Sequence, residues 1–437
     1  MANGQPKIHI EAHPDQLVVD LSQLDWTLEE LGSIKVHWSS VIKNHNLRLA
    51  LVSLENVSVP ADYLGAPGES DLNRLISYLH DAFKRVGKGE ELIIGKNRIV
   101  GSVVGSPYTG GGRGLPQPFT AAGTGPYTGG GAYTAAGTGP YTGGRPYTAS
   151  GSGPYTGGGS GPYTGGGLAE IQYLPGGTLP KRTGPPTSGV RVGILDTRIF
   201  AHPDLNGRYL VDYSTFATEV PGSPPDQEAH ATFIAGVVLE RAPNATLVVD
   251  HVLNEQDIAT SSWRVATKMA SFASSGVTVL NISFGAATDD DQAPLVLKRA
   301  VQVLNKDGVV VVAAAGNHGP SKPKIWPAAL HESTAYVIAV GAGASDGGKF
   351  VSAKFSPKAS WVDLIAPGVD IVSTYKASGY ATWNGTSFSA AAVSGAIAYL
   401  IETAGITAEQ AVAWLMTAPA DRKNPAVTAV MDDIGPQ

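Results

Sequence analysis

The chain has 437 residues, with 31 basic and 37 acidic side chains and a net charge of −6, which argues against a nucleic-acid or anionic-membrane partner. It has no cysteine, which removes disulfides, thiolate catalysis and thiolate-bound metals. Hydrophobic residues make up 43% of the chain, enough for a full core.

The first sixteen residues, MANGQPKIHIEAHPDQ, show no basic start followed by an apolar segment. The longest apolar run, Val309 to Ala315, is far short of a membrane span. The expectation is a cytoplasmic protein with no membrane partner.

Residues 1–100 read as a small α+β domain. KIHIEA, QLVVDL and LRLALVSL have strand-like patterns. Asp71 to Val86 places Leu72, Leu75, Ile76, Leu79 and Phe83 at helical spacing, with Asp71 as the cap. ELIIGKNRIVGSVV predicts a hairpin turned at Lys96-Asn97.

Residues 101–187 form a low-complexity linker rich in Gly, Tyr and Thr. Within it, residues 126–167 hold three copies of a fourteen-residue unit that begins Pro-Tyr-Thr-Gly-Gly. Such a composition buries too little surface to offset chain entropy, so disorder is the default expectation. A flexible spacer is the favoured role, with a reach of about 40–50 Å if unstructured. Two further roles stay open. One is self-association: the spacings between successive aromatic–Thr pairs are all even except one, which in an extended chain puts nearly all the rings on one face. The other is a substrate embedded in the chain and cut from it.

From residue 188 to 437 the pattern becomes α/β. VRVGILD, TLVVDHVL, VTVLNISFG, GVVVVAAAGN and YVIAVGAG are short apolar runs separated by helix-like segments such as SSWRVATKMASFASSG and APLVLKRAVQVLNKDG. Buried parallel strands alternating with helices is the expected architecture, with working residues beyond the strand ends. Three side chains stand out there: Asp196 closes a strand, His230 opens a helix, and Ser387 opens a helix with no charge from Gly385 to Ile401. A serine hydroxyl needs a base to become a nucleophile, histidine supplies one near neutrality, and a buried carboxylate fixes the histidine tautomer. Asn317, at another strand end, is a candidate oxyanion donor, joined by the Ser387 backbone N–H at a helix start.

Taken together, these blocks resemble the subtilisin-like serine proteases, the subtilases, from about Val190 to Pro419. VGILDTRIFAHPDL is similar to their aspartate block, HATFIAGVV to their histidine block and LNISFG to their substrate-binding strand. VVAAAGNHG is similar to their oxyanion block, and WNGTSFSAAAVSGAIA to their serine helix. The resemblance implies a three-layer fold with a mainly parallel central sheet. It also implies a serine endopeptidase acting on peptide or protein substrates: Ser387 as nucleophile, His230 as general base and acid, Asp196 orienting His230, and Asn317 in the oxyanion hole. Substrate would pair with Ser283, Phe284 and Gly285, and the primary pocket would be lined by these with Ala314, Ala315, Gly316 and the apolar Ile325.

The chain departs from the family pattern at Arg198 and Ala231, where Gly is usual, at Phe233, where a second His is usual, and at Ala391, where Pro is usual. A catalytically inactive peptide-binding module is therefore the competing reading. VVLERAPNATL passes from helix to strand without the loop that holds calcium in many subtilases, so no metal or cofactor is expected. The Asp289–Asp291 run reads as a solvated loop, since adjacent carboxylates diverge. Residues 1–100 match a family propeptide in place and size but not in pattern; an adaptor is the alternative, and docking on the catalytic domain is expected of a propeptide. Self-processing near the linker is a further expectation.

Overall fold

The computed structural model describes residues 12–102 except 62, 64–68 and 87–88, and residues 189–436 except 218–228, 254–258, 289, 321–322, 334–335, 347–348, 377–378 and 418–432. Between these lie the described strand segments 119–123, 127–129, 133–137, 141–143, 147–150, 155–156 and 172–174. KIHIEA lies, apart from its last residue, outside the described residues.

The N-terminal unit runs β1 (Ala12–Asp20), α1 (Leu24–Ser33), β2 (Trp38–Asn44), β3 (Leu49–Leu54), α2 (Asp71–Val86) and β4 (Ile94–Ser102). Its sheet has the order β2-β3-β1-β4 and is antiparallel. The continuous apolar run in β1 and β3 has a simple cause: both faces of the sheet are buried. Leu17, Val19, Ala50 and Val52 pack with Leu31, Leu72, Leu75 and Leu79 of the two helices. Val18, Leu49, Leu51 and Val100 join the core of the C-terminal unit instead. Each Val or Leu among them contributes about 1.5–3 kcal/mol relative to exposure.

The C-terminal unit contains β5 (Arg191–Asp196), α3 (His230–Arg241), β6 (Thr246–His251), α4 (Ser262–Ser271), β7 (Val279–Ile282), α5 (Leu295–Lys306), β8 (Val310–Ala314), β9 (Val337–Asp346), β10 (Leu364–Pro367) and α6 (Thr386–Ala404). The sheet order is 209–211, β6, β5, β7, β8, β9, β10, then 435–436 at the edge. All these pairs are parallel except the last, and 349–352 adds an antiparallel hairpin to β9. Helix α6 packs on β7 to β10 and on α3, while α4 and α5 pack on each other. Among the described residues α6 is long and apolar enough to cross a membrane, yet it is the buried central helix of this fold.

The predicted hairpin at Lys96-Asn97 is not formed. Ile94–Ser102 is one strand, whose first part pairs with β1 and whose second part leaves the N-terminal sheet. Ile99–Gly101 pairs antiparallel with 259–261, and Gly101–Ser102 pairs antiparallel with Phe284–Gly285. The polar pair that looks like a turn is a docking device. Asn97 Oδ1 accepts from the Trp263 N–H (2.9 Å) and the Ser262 hydroxyl (3.1 Å), capping α4.

The repeats also differ from the disorder expected of them. Segments 119–123, 133–137 and 147–150 form one parallel sheet, and 127–129, 141–143 and 155–156 form another. Phe119 pairs with Tyr133 and Tyr127 with Tyr141, an offset equal to the fourteen-residue repeat. The described backbone segments thus alternate between two sheets within each repeat.

Helices α3 and α6 approach each other closely at Gly395. A Cβ on Gly395 would lie 2.6 Å from the Val238 carbonyl oxygen and 2.7 Å from Arg241 Cβ. Backbone cannot yield as a flexible side chain does, so Gly395→Ala is expected to destabilise the fold by about 1–3 kcal/mol, read as a lowered thermal midpoint. An unchanged midpoint would contradict this packing.

Candidate active site

Asp196 ends β5 and is fully buried. Its Oδ1 accepts from the Thr197 N–H (2.7 Å) and lies 2.8 Å from His230 Nδ1. A carboxylate accepts, so Nδ1 carries the proton and Nε2 presents a lone pair. His230 is the first residue of α3 and is 1% exposed. Its ring is held edge-on to Trp383 and tilted against Phe388, each 5.7 Å between centroids. Phe233, at one of the positions departing from the family pattern, completes this collar, 4.5 Å from Phe388. Ala231, another departure, fits inside α3, where its N–H donates to Thr197 Oγ1 (3.1 Å) and ties the aspartate loop to the histidine helix.

Ser387 is the second residue of α6 and is fully buried. Its hydroxyl donates to the Ser283 carbonyl (3.2 Å), and the Ser283 hydroxyl donates back to the Ser387 carbonyl (3.2 Å). His230 Nε2 is buried and makes no hydrogen bond among the described residues, so the Ser387–His230 bond is not formed here. Phe388, the residue after Ser387, packs its ring against the imidazole. Asn317 is 1% exposed, and its Oδ1 accepts from the Thr386 N–H (2.9 Å). Thr386 Oγ1 in turn accepts from the Gly316 N–H (3.1 Å). This reciprocal lock fixes the Asn317 amide plane one residue before Ser387.

Ser283, Phe284, Ala314 and Ala315 are all buried, and Gly285 and Gly316 face Ile325. A Cβ on Gly285 would meet Ile325 Cγ2 at 2.5 Å, and one on Gly316 would meet Ile325 Cγ1 at 3.2 Å. Gly316 also has φ +106°, a conformation that favours glycine. Backbone bonds between Ala286 and Trp326 (3.0 and 2.9 Å) hold the Ile325 segment against this wall.

Sequence reasoning missed Thr386 and Thr197, ordinary residues whose bonds depend on tertiary approach. It also missed the group that ties the N-terminal unit to this region. Arg98 Nη2 pairs with Asp290 Oδ2 at 2.6 Å, so the middle carboxylate of the Asp289–Asp291 run is an interface residue. Arg299 Nη2 pairs with Asp20 Oδ2 at 2.8 Å, and the Arg98 N–H donates to Ser262 Oγ (2.9 Å).

The architecture is subtilisin-like, with its principal side chains at strand and helix ends above the sheet. A profile of the Subtilase family matches residues 187–431, and the chain belongs to that family. It is 36% identical over 222 residues to an alkaline protease of Alkalihalobacillus alcalophilus, a match covering 48% of this chain and 53% of the relative. Subtilisin BL of Lederbergia lenta is also 36% identical over 222 residues, covering 48% of this chain and 76% of the relative. The chain thus spans about half the length of the alkaline protease. Fervidolysin from Fervidobacterium pennivorans, a keratinolytic enzyme related to subtilisin, shares the fold. Its TM-score is 0.54 at 16% identity, over 92% of this chain and 57% of that one.

The interface carboxylates give a pH dependence. Burial alone would raise the pKa of Asp290, but the Arg98 hydrogen bond, the Gln292 N–H and the Arg98 and Lys96 charges hold it below the usual range. Burial likewise acts upward on Asp20, and the Ser22 hydrogen bonds with the Arg299 and Arg48 charges outweigh it. Groups with lowered pKa stabilise the docked state above their free value of about 4 and lose that stabilisation as pH falls through the lowered values. Amides of residues 99–102 are therefore expected to lose hydrogen-exchange protection below about pH 4, after correction for intrinsic rates. Equal protection at pH 7 and pH 3 would count against these ion pairs holding the strand.

Proposed function

We propose that this chain is a serine endopeptidase. The observation that carries the reading is the buried 2.8 Å contact of Asp196 with His230, packed against the first turn of the helix that holds Ser387. Rotation about the Ser387 Cα–Cβ bond carries its hydroxyl from the Ser283 carbonyl to the lone pair on His230 Nε2. His230 then takes the proton as Ser387 Oγ attacks a peptide carbonyl, and Asp196 stabilises the imidazolium without taking the proton itself. Asn317 Nδ2 and the Ser387 N–H at the α6 terminus stabilise the oxyanion. His230 returns the proton to the leaving amine, and water attacks the acyl-enzyme by the reverse route. No metal or cofactor enters these steps.

The substrate would be a peptide or protein strand added to the edge at Ser283–Gly285, its acyl-side residue in the pocket that Ile325 narrows. Small apolar side chains fit that pocket best. The N-terminal unit acts as a propeptide-like inhibitor of the same site, since its own strand β4 lies on that edge. The repeat tract is the connection between the inhibitor and the enzyme, and the chain processes itself near that connection.

A fluorophosphonate probe tests the core of this reading. Labelling at Ser387 is expected in the native chain and absent in Ser387→Ala; no labelling under conditions that label subtilisin would favour the inactive peptide-binding module. Asp196→Asn is expected to lower kcat on a peptide substrate by about 10⁴-fold. Asn317→Ala is expected to lower it by about 10²–10³-fold, the magnitude known for the corresponding donor of a subtilisin. A loss in KM alone for either variant would assign these residues to substrate binding.

A further inference from the structure

We infer that the repeat tract joins one copy of this chain to the next, the last repeat of one chain pairing with the first repeat of another in an open-ended stack. The inference is independent of the protease reading and rests on the backbone register of the described strand segments. One sheet takes 119–123, 133–137 and 147–150, and the other takes 127–129, 141–143 and 155–156. All four pairings are parallel: Phe119 beside Tyr133, Tyr133 beside Tyr147, Tyr127 beside Tyr141, and Tyr141 beside Tyr155. Each pairing steps by fourteen residues, in both sheets alike. Segments 119–123 and 127–129 are therefore outermost in the first copy, and 147–150 and 155–156 are outermost in the last.

Among the described residues each outer strand has one neighbour in its sheet, and the sequence explains why the stack stops there. Fourteen residues beyond Tyr147 and Tyr155 stand Gly161 and Ala169, and fourteen before Phe119 and Tyr127 stand Gly105 and Arg113. None of these positions begins an aromatic–Thr pair, so the chain holds no further copy in register. An outer strand presents backbone donors and acceptors that another strand can satisfy. The strand that fits is the one at the other end of an identical chain. Phe119 of a second copy then falls beside Tyr147, and its Tyr127 beside Tyr155. This contact continues a pairing already made twice in each sheet.

Charge does not oppose it. From Gly114 to Gly167 the one charged residue is Arg145, which lies between strand segments. Sheet edges are commonly protected from such pairing by charges within the strand, and these strands have none. The register also fixes the form of the assembly. A two-fold dimer would pair one patch with itself, whereas here unlike ends meet, which leaves a free end on each side and lets chains add in line. The strands at the junction have two to five residues, so each junction is weak and the assembly grows with protein concentration.

Sedimentation velocity and mass photometry of the full chain over a concentration series test this, with Ser387→Ala used to keep the chain whole. The average mass is expected to pass that of two chains and to go on rising. Deletion of residues 133–146, one whole copy, keeps the register and is expected to keep this growth. Deletion of residues 133–139, half a copy, is expected to abolish it, as is replacement of residues 119–156 by a Gly/Ser segment of equal length. The thermal midpoint is expected to be the same in all these variants, which separates loss of the junction from loss of the fold. A chain that stays monomeric throughout, or that stops at a dimer, overturns the inference. Growth that survives the Gly/Ser replacement places the contact on the folded units and overturns it too, as does growth that the two deletions affect alike.

Discussion

The structure depends first on a buried charge-bearing contact between a strand end and a helix start. Asp196 is fully buried, and an ionised carboxylate there is tolerable only with hydrogen bonds to receive it. It has two on one oxygen, from Thr197 and His230, while Oδ2 has none among the described residues. The contact works in both directions. It sets the imidazole tautomer, and it requires that β5 and α3 stay in fixed relation. The Thr197–Ala231 bond and the aromatic collar of Phe233, Trp383 and Phe388 supply that rigidity. Two of the departures from the family pattern, Ala231 and Phe233, belong to this support.

The second constraint is that the sheet edge beside Ser283 is a strand edge in need of a partner. An unpaired edge presents backbone donors and acceptors that water or another strand must satisfy. Here β4 supplies them, and the N-terminal unit becomes an extension of the main core through Val18, Leu49, Leu51 and Val100. Its sheet is therefore sandwiched between its own helices on one face and α4 and α5 on the other. Occupying the edge and burying the face are one event, so the inhibitor reading and the docking geometry reinforce each other.

Much of this was legible in the sequence because it is local. Helix α2 follows from the spacing of Leu72, Leu75, Leu79 and Phe83 and spans Asp71–Val86, although its cap is Ser70, whose Oγ accepts from the Asn73 N–H (3.3 Å), and not the expected Asp71. The parallel strands announced themselves as unbroken apolar runs; Asp196 closes β5, His230 opens α3 and Ser387 is the second residue of α6, while Asn317 lies three residues past the end of β8. What escaped was long-range. Lys96-Asn97 reads as a turn because the partners of Asn97 and Arg98, namely Ser262, Trp263 and Asp290, lie more than 160 residues away. The Asn317–Thr386–Gly316 lock spans about seventy residues for the same reason. The pairing of the repeats was hidden differently, since parallel stacking rewards identity at a fixed offset and not hydrophobic periodicity within one copy.

That last point changes what the repeat tract can do mechanically. As a coil it would set the ends of the linker tens of ångströms apart on average. Stacked in parallel, successive copies advance only about 4.8 Å each, the spacing between paired strands. From 119 to 156 the chain then gains about 10 Å along the stack for nearly forty residues of sequence. Adding or losing one fourteen-residue copy would alter the stack by a single strand spacing and leave the registers at either end unchanged. The flanking segments are held by pairing, β4 on the Phe284–Gly285 edge and 172–174 on the strand 379–383. Repeat number is therefore free to vary without moving the register at the cleft, a tolerance that a fixed-length folded connector would lack.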